Sequence, residues 1–257
     1  MMSDTELSRR VFLSALAGAP LALGWAPLAD KSNLPTVPKR VVKAFLAPGK
    51  MPNGLQAVDD GLWILDQEDP NKVHKVRYED GSVLAEIQTE SIHGSGITYG
   101  DGALWIASTY SLKTLKVDPA TGETLAAFDT PGCGLVRWGK PTRPSGAHGL
   151  EWVAGRYWIV VPPSETIYLV EPASGKVMRS IPAPGVRPHG LAWDNGFLWC
   201  VESNDRAIYK LDPRDGRLLA KVQLAMTDPE PHGMSMHRGV IWYCDAASRW
   251  VCRLVSP

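Results

Sequence analysis

The chain repeats one pattern of apolar and polar positions from residue 53 onward. Each copy starts with a polar residue and a Gly, runs through a short apolar stretch and a polar turn, and ends in a second apolar stretch that carries a Trp. The five copies are residues 53–63, 95–105, 148–158, 189–199 and 232–242. Their Trp residues are separated by 42, 53, 41 and 43 residues. Spacings near 42 residues are typical of β-propeller blades, and the longer one indicates an insertion.

Turn residues within the repeat predict four short strands in each unit. Asp-Gly or Asn-Gly between two apolar stretches is a two-residue hairpin signal. Such pairs lie at residues 60–61, 101–102 and 195–196. A second turn, of the Asp-Pro-x-x-Gly type or a variant with Glu, precedes the fourth strand. It lies at residues 118–122, 171–175 and 212–216.

The fifth unit stops after its third strand, and its missing strand is found at the other end of the domain. Residues 40–49 resemble residues 176–185, the fourth strand of an internal unit. Closing the ring with this strand removes exposed sheet edges, which invite aggregation. The sequence therefore predicts an all-β fold, a five-bladed β-propeller of four-stranded blades in which an N-terminal strand completes the last blade. The five repeated Trp residues are predicted to pack in the core between blades.

The first 29 residues carry the features of an export signal. Arg9 and Arg10 precede Phe-Leu and a mild apolar run rich in small residues, which resembles a twin-arginine signal peptide. We divide the chain into a signal over residues 1–29, a linker over 30–38 and one propeller domain over 39–257, with an insertion loop at 133–146. The expected partner of the signal is the twin-arginine export machinery. The mature protein is expected to be periplasmic or secreted from a bacterium, without a stable membrane span.

Composition narrows the list of partners. Lys plus Arg is 27 and Asp plus Glu is 27, so no basic field predicts binding to nucleic acid. A small-molecule substrate is the expected partner, and the sequence leaves the oligomeric state open. Of the four cysteines (133, 200, 244 and 252), Cys244 and Cys252 are predicted on adjacent strands, where a disulfide is an alternative to two free thiols.

The fourth copy carries a family resemblance. It reads His-Gly-Leu-Ala-Trp-Asp-Asn-Gly-Phe-Leu-Trp over residues 189–199 and continues into Val201-Glu202-Ser203-Asn204 and a Leu-Asp-Pro turn. This motif resembles the propeller superfamily of virginiamycin B lyases, gluconolactonases and NHL-repeat proteins, over nearly all of residues 40–257. The resemblance implies a propeller that serves as a lyase, a lactonase or a binding protein. The length and blade count are also similar to those of plant-type glutaminyl cyclases, although Leu65-Asp66-Gln67 stands where that family has a Glu-containing strand.

Propeller geometry brings two positions of every repeat to one face. The residue before the first Gly of each copy is expected at the channel mouth, and these residues are Asn53, Ser95, His148, His189 and His232. The third residue after each Trp is expected nearby, and these residues are Asp66, Ser108, Val161, Glu202 and Asp245. His93 lies two residues before Ser95 and joins the same mouth.

The clustered histidines predict a metal site. His148, His189 and His232, with His93 as a fourth member, are the candidate ligands of a divalent metal ion, with Zn, Fe, Ca and Mg all open. Glu202, Asp245 and Asp66 are the candidate catalytic carboxylates, which either orient the imidazoles or act as general bases. The alternative is a structural one, in which each imidazole hydrogen-bonds neighbouring backbone as part of the blade signature.

The insertion predicts a substrate contact, because it leads directly into His148. Arg137, Lys140 and Arg143, with Trp138, suit an anionic and partly apolar small molecule. Arg187 adds a cation beside His189, and Asn53 and Ser95 complete the candidate substrate-binding residues. The alternative is a solvated loop with scattered charges.

These features together predict an exported metal-dependent enzyme, a lyase or a lactonase-like hydrolase acting on a small anionic organic molecule. A non-enzymatic propeller that binds a ligand or a protein is the main alternative. Glutaminyl cyclase-like or iron-dependent oxygenase activity is a third interpretation.

Overall fold

Within residues 31–257, twenty strands form the fold. A computed structural model describes residues 31–257, so the predicted signal over residues 1–29 lies outside the described residues. The strands are arranged in five four-stranded antiparallel sheets, the blades of a propeller. Within residues 31–257 no helix has the length and apolar character needed to cross a bilayer.

The strands follow the repeat. The chain first forms β1 (Arg40–Leu46). Blade 1 contains β2 (Pro52–Val58), β3 (Gly61–Asp66), β4 (Lys72–Val76) and β5 (Val83–Gln88). Blade 2 contains β6 (Gly94–Gly100), β7 (Ala103–Ser108), β8 (Lys113–Val117) and β9 (Thr124–Asp129). Blade 3 contains β10 (Gly149–Val153), β11 (Arg156–Val161), β12 (Thr166–Val170) and β13 (Val177–Pro182). Blade 4 contains β14 (Pro188–Asp194), β15 (Phe197–Glu202), β16 (Ala207–Leu211) and β17 (Leu218–Gln223). Blade 5 contains β18 (Met234–His237), β19 (Val240–Cys244), β20 (Trp250–Val255) and β1.

Two of the three predicted hairpin turns adopt the backbone that their residues favour, whereas in blade 1 the turn is formed by Asp59 and Asp60, and Gly61 is the first residue of β3. Asp101 and Gly102 have φ of 53° and 69°, and Asn195 and Gly196 have φ of 46° and 90°. Two consecutive positive φ angles match the twist of the flanking strands, which is why Asn, Asp and Gly are preferred there. Each turn thereby joins the first and second strands of its blade.

Strand β1 closes the ring, as the sequence predicts. It pairs antiparallel with β20, from Arg40 opposite Val255 to Leu46 opposite Trp250. Phe45 of β1 is buried and packs in the same apolar cluster as Trp242. Blade 5 is therefore built from both ends of the propeller domain.

The repeated Trp residues are core residues, which confirms their predicted role. Each lies on the second strand of its blade and is between 1% and 6% exposed. Trp63 of blade 1, for example, packs against Ile97 and Leu104 of blade 2. The same step to the next blade is made by Trp105, Trp158, Trp199 and Trp242. One indole per blade therefore links neighbouring sheets around the ring.

Glycine at the start of each inner strand allows the blades to meet at the axis. A Cβ atom on Gly96 would lie 2.7 Å from the Cα of Gly149 in the next blade. A Cβ atom on Gly233 would lie 2.6 Å from the backbone oxygen of Asn53. No side chain fits at such distances, so the backbone itself fills the axis.

The predicted linker is partly ordered against blade 4. Thr36 forms a parallel bridge with Lys221 of β17, and the amide of Val37 donates to the Lys221 carbonyl at 2.7 Å. Leu34 packs against the apolar cluster between blades 3 and 4. The segment thus covers part of the outer edge of blade 4.

The cysteines are free thiols, and the disulfide considered between Cys244 and Cys252 does not form. The register of β19 and β20 pairs Cys252 with Tyr243 and Cys244 with Val251. Successive side chains of a strand point to opposite faces, so the two sulfurs face different neighbouring blades. Cys244 joins the cluster with blade 1, and Cys252 joins the cluster with blade 4.

Candidate active site

A cavity of about 720 Å³ opens at the end of the channel where the inner strands begin. His148, His189 and His232 precede the axial glycines and form its floor. The insertion forms one wall, through a set of residues that includes Trp138, Lys140, Arg143 and Ser145. The three histidines that the repeat aligns are therefore brought together under the loop that interrupts the repeat.

The three imidazoles form a row of edge-to-face rings. The ring centroids of His148 and His189 are 4.8 Å apart, and those of His189 and His232 are 4.9 Å apart. The planes of each pair are inclined by 77° and 74°. Nδ1 of His148 lies 3.2 Å from Nε2 of His189, a hydrogen bond between neighbouring blades.

The partners of these rings determine their tautomers. Nδ1 of His189 lies 3.2 Å from the backbone oxygen of Arg187, which only accepts, so Nδ1 carries the proton and Nε2 has the lone pair. Nδ1 of His148 must then donate to Nε2 of His189. This leaves the lone pair of His148 on Nε2, where the hydroxyl of Ser145 lies 3.0 Å away.

His232 has the same tautomer in a more charged environment. Its Nδ1 lies 3.4 Å from the backbone oxygen of Glu230, and its Nε2 accepts from the Arg187 guanidinium at 3.2 Å. The same guanidinium donates to the Glu230 carboxylate at 2.8 Å. His189 and His232 thus each donate to the backbone carbonyl of the residue two positions earlier. The structural interpretation of the histidines predicts such hydrogen bonds to neighbouring backbone.

Burial keeps the histidines neutral. It lowers the pKa of His148 to about 3, and the neighbouring His93, His232 and Arg187 lower it further. Burial also lowers the pKa of His189, followed by the effect of its two histidine neighbours. For His232, burial and then Arg187 lower the pKa against the opposing effect of Glu230. The row therefore consists of neutral imidazoles with fixed lone pairs.

The residues present do not fit a metal centre in this arrangement. The Nε2 lone pairs of His148, His189 and His232 point to separate donors, from Ser145, His148 and Arg187. Within residues 31–257, no group of three or more His, Cys, Asp or Glu side chains has the geometry to hold a metal ion. The predicted divalent metal stays a prediction.

His93, the proposed fourth member of the ring, lines the same cavity but packs against an aromatic side chain. Its ring stacks on Tyr110 with the centroids 4.0 Å apart. The Arg143 guanidinium lies 4.9 Å from the centroid of the Tyr110 ring. Burial lowers the pKa of His93 to about 4, with a smaller effect from Arg143. His93, Tyr110 and Arg143 together line one side of the cavity.

The candidate catalytic carboxylates bind backbone amides. The Glu202 oxygens accept from the amides of Arg187 and Asp205, both at 2.8 Å. The Asp66 carboxylate accepts from the amides of Lys50 and Met51. Each carboxylate thus fastens the loop that enters the first strand of its own blade.

Two further blades repeat this arrangement. The Asp245 carboxylate accepts from the amide of Glu230 at 3.1 Å, and the Ser108 hydroxyl accepts from the amide of Ile92 at 2.8 Å. We call Asp66, Ser108, Glu202 and Asp245 the loop clamps. Only Asp245 among them lines the cavity, within the part of the chain that the structure describes. A catalytic role for the three acidic clamps stays a prediction.

The cations predicted to contact substrate divide into two groups. Arg187, Lys140 and Arg143 line the cavity. Arg137 instead forms an ion pair with Glu165, at 2.8 Å. Arg206 was not predicted, because it lies in a loop after the second strand of blade 4; it lines the cavity and approaches Glu230 at 3.6 Å.

Blades 1 and 2 have Asn53 and Ser95 where the other blades have histidine, and these two residues differ in their hydrogen bonds. The Ser95 hydroxyl accepts from the Gln67 amide at 2.7 Å. Asn53 lines the cavity and is 4% exposed, and its Oδ1 has no hydrogen-bond partner among the described residues. Asn53 therefore leaves its amide oxygen for a bound molecule, at the position where blades 3 to 5 have histidine.

Sequence reasoning also missed Ser145, Ser203 and Glu230. Ser203 accepts from His189 at 3.1 Å and donates to the Pro231 carbonyl at 2.7 Å. The sequence carries only local signals for these residues, namely their positions close to the three histidines. Ser145 lies three residues before His148, and Arg187 and Glu230 both begin an x-Pro-His-Gly sequence.

Comparison with solved structures shows the fold. No protein-family model and no curated protein matches the sequence. The glutaminyl cyclase of Myxococcus xanthus superposes with a TM-score of 0.65 at 11% identity, over 84% of this chain and 94% of that one. An inactive virginiamycin B lyase of Staphylococcus aureus, crystallised with quinupristin, superposes with a TM-score of 0.51 at 19% identity, over 80% of this chain and 66% of that one.

This chain shares the β-propeller fold of both. The likeness covers nearly the whole cyclase, whereas this propeller spans about two thirds of the length of the lyase. At these identities the comparison establishes the architecture and leaves the chemistry to the cavity of this propeller.

Proposed function

We propose that this propeller is an enzyme that opens an ester, a lactone or a related bond in a small anionic organic molecule, with neutral histidines as the acid–base groups. The observation that carries the proposal is the hydrogen-bonded row of His148, His189 and His232 on the floor of the cavity. Perturbed titratable groups that converge in a cleft are typical of catalytic sites.

The cavity wall supports an anionic and partly apolar substrate. Lys140 and Arg143 carry no carboxylate partner within residues 31–257, so their charge is available to a ligand. Trp138 offers an aromatic surface beside them. A molecule with a carboxylate or phosphate and a planar apolar part matches this wall.

The lyase relative supports a catalytic histidine in this fold. The Staphylococcus aureus structure is of a His-to-Ala variant described as catalytically inactive. That residue belongs to a longer and distantly related chain, so it supports the type of group and not a particular residue here. Export through the twin-arginine route and a periplasmic location stay part of the proposal as predictions.

Turnover of a substrate panel tests the proposal. We would assay the purified protein with aryl and alkyl esters, lactones and cyclic depsipeptides, each with and without a carboxylate, and measure bound metals in the same sample by elemental analysis. His189→Gln is expected to lower kcat/KM at least 100-fold. His237→Gln is the matched control, because His237 lies at the far end of β18 beside Tyr78. No turnover of any compound, or equal rates in the two variants, contradicts the proposal.

Cyclisation of N-terminal glutamine is a second candidate, favoured by the 94% coverage of the Myxococcus cyclase. It predicts release of ammonia from glutaminyl peptides by the wild type. If neither reaction occurs and a carboxylate ligand still binds in calorimetry, the non-enzymatic binding propeller becomes the better interpretation.

A further inference from the structure

Ser145 is the hydroxyl that ends the row of histidines. It is 5% exposed, lines the cavity and lies at the end of the insertion. Its backbone is held by two hydrogen bonds with Gly134, at 2.7 Å and 3.2 Å. The hydroxyl is therefore fixed at the cavity wall by the base of the loop.

The directions of the hydrogen bonds along the row determine which group donates in the contact between Ser145 and His148. His189 donates from Nδ1 to the Arg187 carbonyl, so His148 donates from Nδ1 to His189, and the Nε2 lone pair of His148 faces Ser145. The Ser145 hydroxyl is left as the donor to that lone pair. The Ser203 hydroxyl donates its proton to the Pro231 carbonyl. It therefore accepts from Nδ1 of His189 and does not reverse the tautomer of that ring.

We propose that Ser145 is a nucleophile, that His148 is its general base, and that His189 is a positioning residue that fixes the tautomer of His148. The inference rests on the proposed function of the cavity and names the substrate class as carboxylic esters and lactones, which react through an acyl-enzyme. A hydroxyl, an imidazole that accepts its proton and a third group that orients the imidazole are the parts of an acyl-transfer site.

The steps balance as a hydrolysis. Ser145 Oγ attacks the acyl carbon while its proton passes to Nε2 of His148. The carbon–oxygen bond to the leaving alcohol breaks, and the alcohol oxygen takes the proton from His148, which leaves an ester on Ser145. Water then attacks this ester, His148 accepts its proton and returns it to Ser145, and the products are one carboxylic acid and one alcohol. In a lactone both products remain in one molecule.

An anionic substrate would assist this base. Arg187 is among the charges that disfavour protonation of His148, and Arg143 and Lys140 line the same cavity. A substrate carboxylate near these cations offsets their field and makes His148 a stronger base in the complex. The cations that line the cavity and the pair of Ser145 and His148 therefore fit the same class of molecule, an anionic ester or lactone.

Covalent labelling tests the inference without knowledge of the natural substrate. We would incubate the purified protein with an alkyl fluorophosphonate, in which a serine oxygen displaces fluoride, and locate the adduct by intact-mass and peptide mass spectrometry. The expected result is one adduct per chain at Ser145. Ser145→Ala should remove it, and His148→Gln should slow labelling at least 100-fold.

Ser174→Ala is the control, because Ser174 lies in the exposed turn before β13 and donates to Glu171. Circular dichroism checks that every variant is folded. A folded wild type without an adduct at Ser145 overturns the inference. If the ester panel is nevertheless turned over in a His189-dependent manner, the proposed function stands and the nucleophile alone is wrong. A His148-dependent adduct at Ser145 without turnover of any ester or lactone supports the nucleophile and overturns the substrate class.

Discussion

Single buried groups decide the charge state of this cavity. His148 and His189 each have a polar partner on both ring nitrogens, yet those partners are neutral and do not compensate an imidazolium. The free energy needed to remove a charged imidazolium from water exceeds the stabilisation from such contacts, so the neutral form is favoured. The consequence is a base whose lone pair is available over the whole physiological pH range.

The rate of Ser145 labelling is therefore expected to be nearly independent of pH between 5 and 8. The reactive form has neutral His148 and is present above the folded pKa of about 3, so the rate should fall only as the pH approaches that value. An imidazole with the ordinary pKa of about 6.5 would lose about thirtyfold in rate between pH 8 and 5. Such a fall, in protein that remains folded by circular dichroism, contradicts the assigned charge state.

Glu151, a half-buried residue on the inner strand of blade 3, is a second group with an altered pKa. Its carboxyl is bonded to the backbone of Trp193 in blade 4, and its Oε2 is buried without a partner. Thr98 occupies the equivalent position in blade 2, where it accepts from the amide of Trp152 in blade 3. Burial raises the pKa of Glu151 to about 8.

Glu151→Gln is expected to stabilise the protein above neutral pH. The folded state holds a proton that the unfolded chain releases near pH 4.5, so wild-type stability is complete below that pH and is lost as the pH rises toward 8. The neutral amide removes this loss, and Tm at pH 8 should rise by at least about 2–4 °C, the effect of about 1 kcal/mol in a domain of this size. Thermal unfolding at pH 5 and 8 measures it, with Glu123→Gln as an exposed control. An equal loss of Tm with pH in both variants contradicts the assignment.

At the level of elements, the loop clamps explain how four similar strand ends, in blades 1, 2, 4 and 5, hold different loops. Each clamp lies at or next to the end of a second strand and accepts amides from the loop before its blade. A carboxylate that accepts two or three amides is charged and well bonded, which holds the loop in one conformation. The position of Arg187, and with it His189, depends on Glu202.

Glu202→Gln and Asp66→Asn are expected to destabilise the fold by a similar amount, on the order of 1–3 kcal/mol each, because an amide group then faces the backbone donors. Urea unfolding measures this. A purely catalytic role of Glu202 predicts a different result: turnover lost in Glu202→Gln with stability unchanged. Asp66 is the internal comparison, because it clamps a loop of blade 1 without a histidine at the mouth.

Much of the fold could be predicted from particular residues. The five Trp positions and the Asn-Gly and Asp-Gly turns set the strand lengths, and the likeness of residues 40–49 to an internal fourth strand revealed the closure. Whether Cys244 and Cys252 form a disulfide could not be decided from the sequence. Their separation follows from strand register, which the intervening turn determines and which composition does not reveal.

The candidate site was predicted only in part. The repeat aligned His148, His189 and His232, and they do meet. Ser145 was missed because it lies in the insertion, where the repeat offers no equivalent position. The hydrogen-bond partners of Glu202 are backbone amides, which are present at every residue and leave no trace in a sequence.

At the level of the whole molecule, two N-terminal segments support the ring in different ways. Strand β1 supplies the fourth strand of blade 5, whereas residues 34–37 only cover the edge of blade 4. The first is part of a continuous sheet with buried side chains. The second adds a parallel bridge at the surface.

Two truncations should separate these contributions. A chain that starts at residue 39 keeps β1 and is expected to fold with a Tm lower by a few degrees. A chain that starts at residue 47 lacks β1, exposes the edge of β20 and is expected to aggregate or unfold without cooperativity. Differential scanning calorimetry compares them. Equal Tm values for both truncations would show that β1 does not close the ring.

The pairing of β1 with β20 also imposes an order on biosynthesis. Arg40 is among the first residues of the domain to leave the ribosome, and its partner Val255 is among the last. Blades 1 to 4 each consist of consecutive residues and can assemble while the chain is still growing. Residues 40–46 have no partner strand until residues 250–255 have emerged. The ring is therefore sealed only after translation of the domain has finished, and any factor that guards the nascent chain must shield that waiting strand until then.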